Sequence, residues 1–126
     1  MDAARAGTAI VLVNLFINIV HGAAHMELQI DLNPAEKLFV ALVVLAGPLL
    51  AMALLWTRWQ RLGLGLMAAT MAGSLAFGIY HHFMAMSPDH VGAQVAGFWG
   101  GAFVVTACLL LLAEAVGTYI GVRFLR

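Results

Sequence analysis

The sequence predicts an all-α protein, an integral membrane bundle of four transmembrane helices in a single domain (1–126), with both termini cytoplasmic. Three observations predict it. The first is composition: 63% of the 126 residues are hydrophobic and 10% charged, with a mean hydropathy of +0.98. Soluble domains are nearer half apolar and a quarter charged, and a chain this short has too little interior to hide so much apolar surface. The second is four stretches, 6–20, 38–57, 62–80 and 91–113, without any Asp, Glu, Lys, Arg or His. Spanning hydrocarbon takes about 20 helical residues, and the strict alternation of a barrel strand is absent. The third is charge. Arg5, Arg58, Arg61, Arg123 and Arg126 fall on one side of a four-span topology, and Lys37 alone falls on the other with Glu27, Asp31, Glu36 and Asp89. Basic residues concentrate in cytoplasmic loops, which places the chain in a plasma membrane of the bacterial inner-membrane type.

Taken in order, the spans cover about 6–26, 35–57, 62–84 and 91–121. The first reaches full length only by including His21 and residues 22–24. Gly22-Ala23-Ala24 resembles a leader-cleavage sequence, but Asn14 and Asn18 interrupt its apolar region, so it reads as a retained span. The second opens on Asn33-Pro34-Ala35-Glu36, Asn at N-cap, Pro at N1 and Glu at N3, a capping box. Gly47-Pro48 should bend it, because Pro removes an internal hydrogen bond. Trp56 and Trp59 mark its cytoplasmic interface. The third carries Ala68, Ala72 and Ala76 at four-residue spacing. The fourth should be capped by Ser87-Pro88-Asp89, and it holds Gly97-x-x-x-Gly101 and Gly117-x-x-x-Gly121. Such faces let helices approach closely in lipid, within one chain or in a homo-oligomer or larger membrane complex. The lone Cys108, mid-helix among leucines, reads as a small core residue. With zero formal charge, the chain has no basic footprint for nucleic acid.

Function is sought in the polar residues. On the first span Asn14, Asn18, His21 and His25 fall within an arc of about 60°. Amides and imidazoles avoid hydrocarbon, so this stripe should face the bundle interior. Thr70, Ser74 and His81 form a matching line on the third span, which predicts a polar seam between the first and third helices. Glu114, at membrane depth in the fourth, would extend that seam with Thr106, or pair with Arg5, Arg58 or Arg61 near the interface.

All five histidines, His21, His25, His81, His82 and His90, fall toward the exoplasmic end. Neutral imidazole is a common metal ligand, and His21 and His25 lie one helical turn apart. His81 or His82 would complete a three-nitrogen site, with Asp89, His90 or water beside it; copper, zinc and iron all accept such a set. Met26, Met84 and Met86 would favour copper. Non-covalent haem b ranks lower, because the asparagine stripe is more polar than a haem pocket needs. No Walker, nucleophile-elbow or H-E-x-x-H motif points to an enzyme. A small transporter or proton-coupled channel using the seam is the alternative, and an accessory subunit of a membrane complex a further one.

Overall fold

A computed structural model describes residues 1–126. The chain is all-helical, and four helices are long and apolar enough to cross a membrane: α1 (Ala3–Glu27), α2 (Pro34–Leu55), α3 (Gln60–Met84) and α4 (Phe98–Leu125). Asp2 caps α1, its Oδ1 accepting the Arg5 amide at 2.8 Å. The predicted capping box opens α2: Asn33 Oδ1 accepts the Glu36 amide at 2.9 Å, and Glu36 Oε2 accepts the Asn33 amide at 2.8 Å. At the same end Lys37 reaches Asp31 at 2.8 Å, and that hydrogen bond holds the Asp31 carboxyl below its usual range.

Gly47-Pro48 is handled by a widened turn. Residues Val40–Ala46 are π-helical and α-helix resumes at Gly47. Pro48 has no amide hydrogen, and its ring opposes the carbonyl one turn back; a π register lets the helix continue around that defect. Gly47 is required there, since a Cβ would lie 2.5 Å from Thr70 Cγ2 on α3. A second π turn, Tyr80–Met84, ends α3.

The fourth helix begins at Phe98, seven residues after the expected start near 91. Residues 85–97 form an irregular strap with a short 3-10 turn at Val91–Ala93. Asp89 is drawn inward instead of capping a helix, Gln94 Nε2 donates to the Pro88 and His90 carbonyls, and Gly97 takes a φ of +128° that side chains disfavour.

Each helix packs on its neighbours around a ring: α1 against α4, α4 against α3, α3 against the second half of α2, and that half against α1. Consequently α1 and α3 stand diagonally and barely touch, which corrects the expected direct seam between them. At the end holding the termini the interior is filled by Val11, Leu55, Leu64, Met67 and Met71. Gly117 packs on Met71, and a Cβ at Gly121 would lie 2.8 Å from the Leu64 carbonyl oxygen, so these glycines close the α3–α4 contact within the chain. Gly101 faces open space. Cys108 is exposed on the outer face of α4, not in the core. Leu12, Phe16, Leu42, Leu50, Leu109 and Leu112 are exposed as well.

Candidate metal centre

At the end opposite the termini, where α1 and α3 stand apart, three imidazoles converge. His21 and His25 follow one another by a turn on α1, with ring centroids 4.9 Å apart. His82 comes from the π turn of α3, its centroid 4.9 Å from His21. One nitrogen of each of the three lies within 4.8 Å of those of the other two, close enough to hold a metal ion. Phe103 of α4, fully buried, lies against all of them at 4.7, 5.1 and 5.3 Å between centroids. The site is therefore walled from solvent on that side.

Hydrogen bonding fixes which nitrogens face the centre. Thr106 Oγ1 donates its proton to the Ala102 carbonyl at 2.6 Å, so at 2.8 Å from His21 Nδ1 it accepts, and His21 carries its proton on Nδ1. His25 Nδ1 donates to the Ile30 carbonyl at 3.1 Å, and His82 Nδ1 to the Asp89 carbonyl at 2.9 Å. Each ring thus turns Nε2 toward the centre, a lone pair when the ring is neutral and an N–H when His25 donates to Asp89. His21 Nε2 and His82 Nε2 face each other at 3.2 Å, hydrogen-bonded when either carries a proton and two lone pairs when neither does. His25 Nε2 faces Asp89 Oδ1, also at 3.2 Å. Asp89 is buried, and neither carboxylate oxygen receives an aligned hydrogen bond. Burial would push its carboxyl up, but the adjacent His25 and His82 nitrogens outweigh that and hold it well below the usual carboxylate range. Asp89 Oδ1 lies 3.2 Å from both His25 Nε2 and His82 Nδ1, so the centre gathers one carboxylate and three imidazoles, groups that can share protons or hold a cation.

The geometry suits one. Two nitrogens bound tetrahedrally to zinc at 2.0–2.1 Å lie about 3.3 Å apart, against 3.2 Å between the His21 and His82 nitrogens. Ligating histidines usually donate their second ring N–H to a carbonyl, carboxylate or similar oxygen, which fixes tautomer and orientation; all three rings do so here. The three nitrogens span up to 4.8 Å, so the widest pair must close by about 1.5 Å to reach tetrahedral spacing on binding.

The other predicted histidines lie elsewhere. His81 lies tilted against Phe77, ring centroids 4.1 Å apart, and faces Glu36 at 3.8 Å; His90 Nδ1 accepts the Gly92 amide in the strap. The line drawn through Thr70, Ser74 and His81 assumed a regular α-helix. The wider π turn advances less per residue, which brings His82, not His81, into line with the buried Ser74. Thr70 itself donates to the Leu66 carbonyl at 2.8 Å. Met84 and Met86 are exposed, and the thioethers add nothing to the centre. Phe103 had no sequence signal; its place became visible only when α4 was docked.

From the histidines a cavity of about 630 Å³ runs into the bundle, lined among others by Asn18, Ser74 and Glu114. Glu114 lies eight residues beyond Thr106 on α4, about 12 Å deeper. It is 3% exposed, its Oε2 has no partner, and no arginine pairs with it. Asn14 is buried and forms the same level of α1, its carbonyl accepting Asn18 Nδ2 at 3.0 Å. The polar residues of the stripe thus face a cavity between the diagonal helices, with α4 supplying Thr106 and Glu114. In comparisons with known protein families, curated proteins and solved structures, the chain matches none of them.

Proposed function

We propose that this chain is a plasma-membrane protein with cytoplasmic termini that binds one transition-metal ion, copper, zinc or iron, at the exoplasmic end of its bundle. The ligands are Nε2 of His21, His25 and His82, with the Asp89 carboxylate beside them. The observation that carries this reading is the convergence of three imidazoles, one nitrogen of each within 4.8 Å of the others and His21 Nε2 only 3.2 Å from His82 Nε2, with every ring anchored at Nδ1 by an oxygen. A proton could bridge one such gap. A single metal ion answers all three nitrogens and the carboxylate together, and neutral imidazoles with one carboxylate are a ligand set that zinc, copper(II) and iron(II) accept.

The orientation rests on the five arginines at the end holding the termini. Beyond Glu114 the interior is filled by Val11, Leu55, Met67 and Met71, so the reading is of binding, not of passage through the bundle. Protein purified without chelator should carry about one equivalent of metal by elemental analysis, and His21→Ala/His82→Ala should carry none. His81→Ala/His90→Ala should retain it. A metal-free unaltered protein that also takes up no added zinc or copper defeats the proposal, and a Soret band would assign the histidines to haem.

A further inference from the structure

We infer that the cavity between the histidines and Glu114 is a second binding site, built for a lipophilic amine whose carbon body fills the apolar walls and whose protonated nitrogen rests on the Glu114 carboxylate. Its volume of about 630 Å³ is that of pockets enclosing small organic ligands. Val40 and Val44 of α2 and Leu110 and Leu111 of α4 provide a hydrocarbon wall.

The deep end is different in kind. Glu114 Oε2 is buried without a partner, and an orphaned buried carboxyl is expensive at this depth. Its polar neighbours in the cavity already direct protons elsewhere: Ser74 Oγ donates to the Thr70 carbonyl at 2.9 Å, and Asn18 Nδ2 to the Asn14 carbonyl at 3.0 Å. What remains is mostly acceptor oxygens, those of Ser74, Asn18 and the Glu114 carboxyl once it gives up its proton, so the complementary head group is a base that arrives rich in donors. An ammonium offers three, with the compensating charge; a hydroxyl offers one and none. A small hydrated metal ion would meet a single carboxylate here and would have to shed water against leucine and valine.

The way in lies toward lipid. α1 packs on α2 chiefly along the second half of α2, and the cavity is lined by Gly22 and Met26 on one side and Val40 on the other. Gly22 is exposed, with nothing within 4 Å of the position a Cβ would take. A neutral amine arriving from the bilayer takes the carboxyl proton of Glu114; one O–H bond breaks, one N–H bond forms, and the ion pair stays buried.

The test uses the full chain in phosphatidylcholine nanodiscs and a decylamine carrying a mid-chain diazirine, with the alcohol and the carboxylic acid of the same skeleton beside it. On irradiation the amine should label Val44, Leu110 or Leu111 at least tenfold more than either analogue. Glu114→Gln should reduce that labelling to the level of the alcohol while the metal content stays unchanged. Gly78→Val should block it too, since a Cβ there lies 3.5 Å from Leu111 Cδ2 and 3.9 Å from Glu114 Oε2. In the unaltered protein, unlabelled decylamine must compete and decanol must not, which reads the selectivity even if a variant fails to fold. Equal labelling by the three probes overturns the inference, as does labelling confined to the outward-facing Leu12 and Phe16. So does undiminished labelling of Glu114→Gln, or a second metal equivalent that this variant loses. The metal content of the unaltered protein is a separate readout, so the two sites stand or fall independently.

Discussion

Thr106→Val isolates the step on which the metal reading turns. The substitution keeps shape and removes the oxygen that accepts from His21 Nδ1 at 2.8 Å. With Thr106 in place, the ring proton is held on Nδ1 and the lone pair of Nε2 points at the centre. Without it, the proton is free to move to Nε2, and the N–H left against valine has no acceptor. Loss of such an outer partner costs about 10–100-fold in metal affinity, or about 1.4–2.8 kcal/mol at 1.4 kcal/mol per decade. Folding stability should fall by about 1–3 kcal/mol for the orphaned buried donor. The assay is a competition titration against a chromophoric chelator in detergent at pH 7.5, run on unaltered protein, Thr106→Val, Thr106→Ser and His21→Ala. Thr106→Ser should bind nearly as the unaltered protein does, and His21→Ala should be weakest. If Thr106→Val binds within a factor of two of the unaltered protein while His21→Ala loses the metal, the tautomer argument is wrong. If His21→Ala also binds unchanged, His21 is not a ligand.

Asp89 is stabilised as its anion, so its contribution is present above the usual carboxylate range and is lost as pH falls through its lowered native value; Asp89→Asn should therefore melt below the unaltered protein at pH 7, the gap narrowing under strongly acidic conditions, and a constant gap would separate Asp89 from His25 and His82. Gly121→Val drives a side chain into the Leu64 carbonyl and should cost about 1–3 kcal/mol or more as overpacking, read as a lower Tm in detergent, whereas Gly101→Val, facing open space, should change Tm little; equal effects would contradict the packing of α3 on α4. For orientation, cysteines introduced at Ser87 and Arg58 in a Cys108→Ala background should react with an impermeant maleimide on intact cells and on inverted vesicles respectively, and the reverse pattern would invert the topology.

Much of the fold was readable because lipid imposes a simple rule on sequence. Backbone groups without water must bond internally, so four apolar stretches of sufficient length meant four helices, and Asn33-Pro34-Ala35-Glu36 gave the start of α2 to the residue. The start of α4 was misplaced because Asp89 serves a tertiary contact with His25 and His82 that outcompetes local capping. The helix-1 stripe predicted that His21 and His25 would face inward together, since a regular α-helix preserves 100° per residue. On α3 that arithmetic failed across Tyr80–Met84, where a π turn exchanged His81 for His82. Which helices would be neighbours was not readable either. Periodicity says that a face is buried, not which partner covers it, and so the diagonal placement of α1 and α3, and with it the cavity, emerged only from packing.

The ring order of the helices also bears on when the centre comes into being. A chain made from its N-terminus has His21, His25 and His82 in place before Phe103 and Thr106 leave the ribosome. Until α4 wedges between α1 and α3, nothing holds the His21 proton on Nδ1 and nothing bars water from the three rings. If the proposed ion binds there, its capture is linked to the last step of assembly, and a loaded bundle would be one whose final helix has docked.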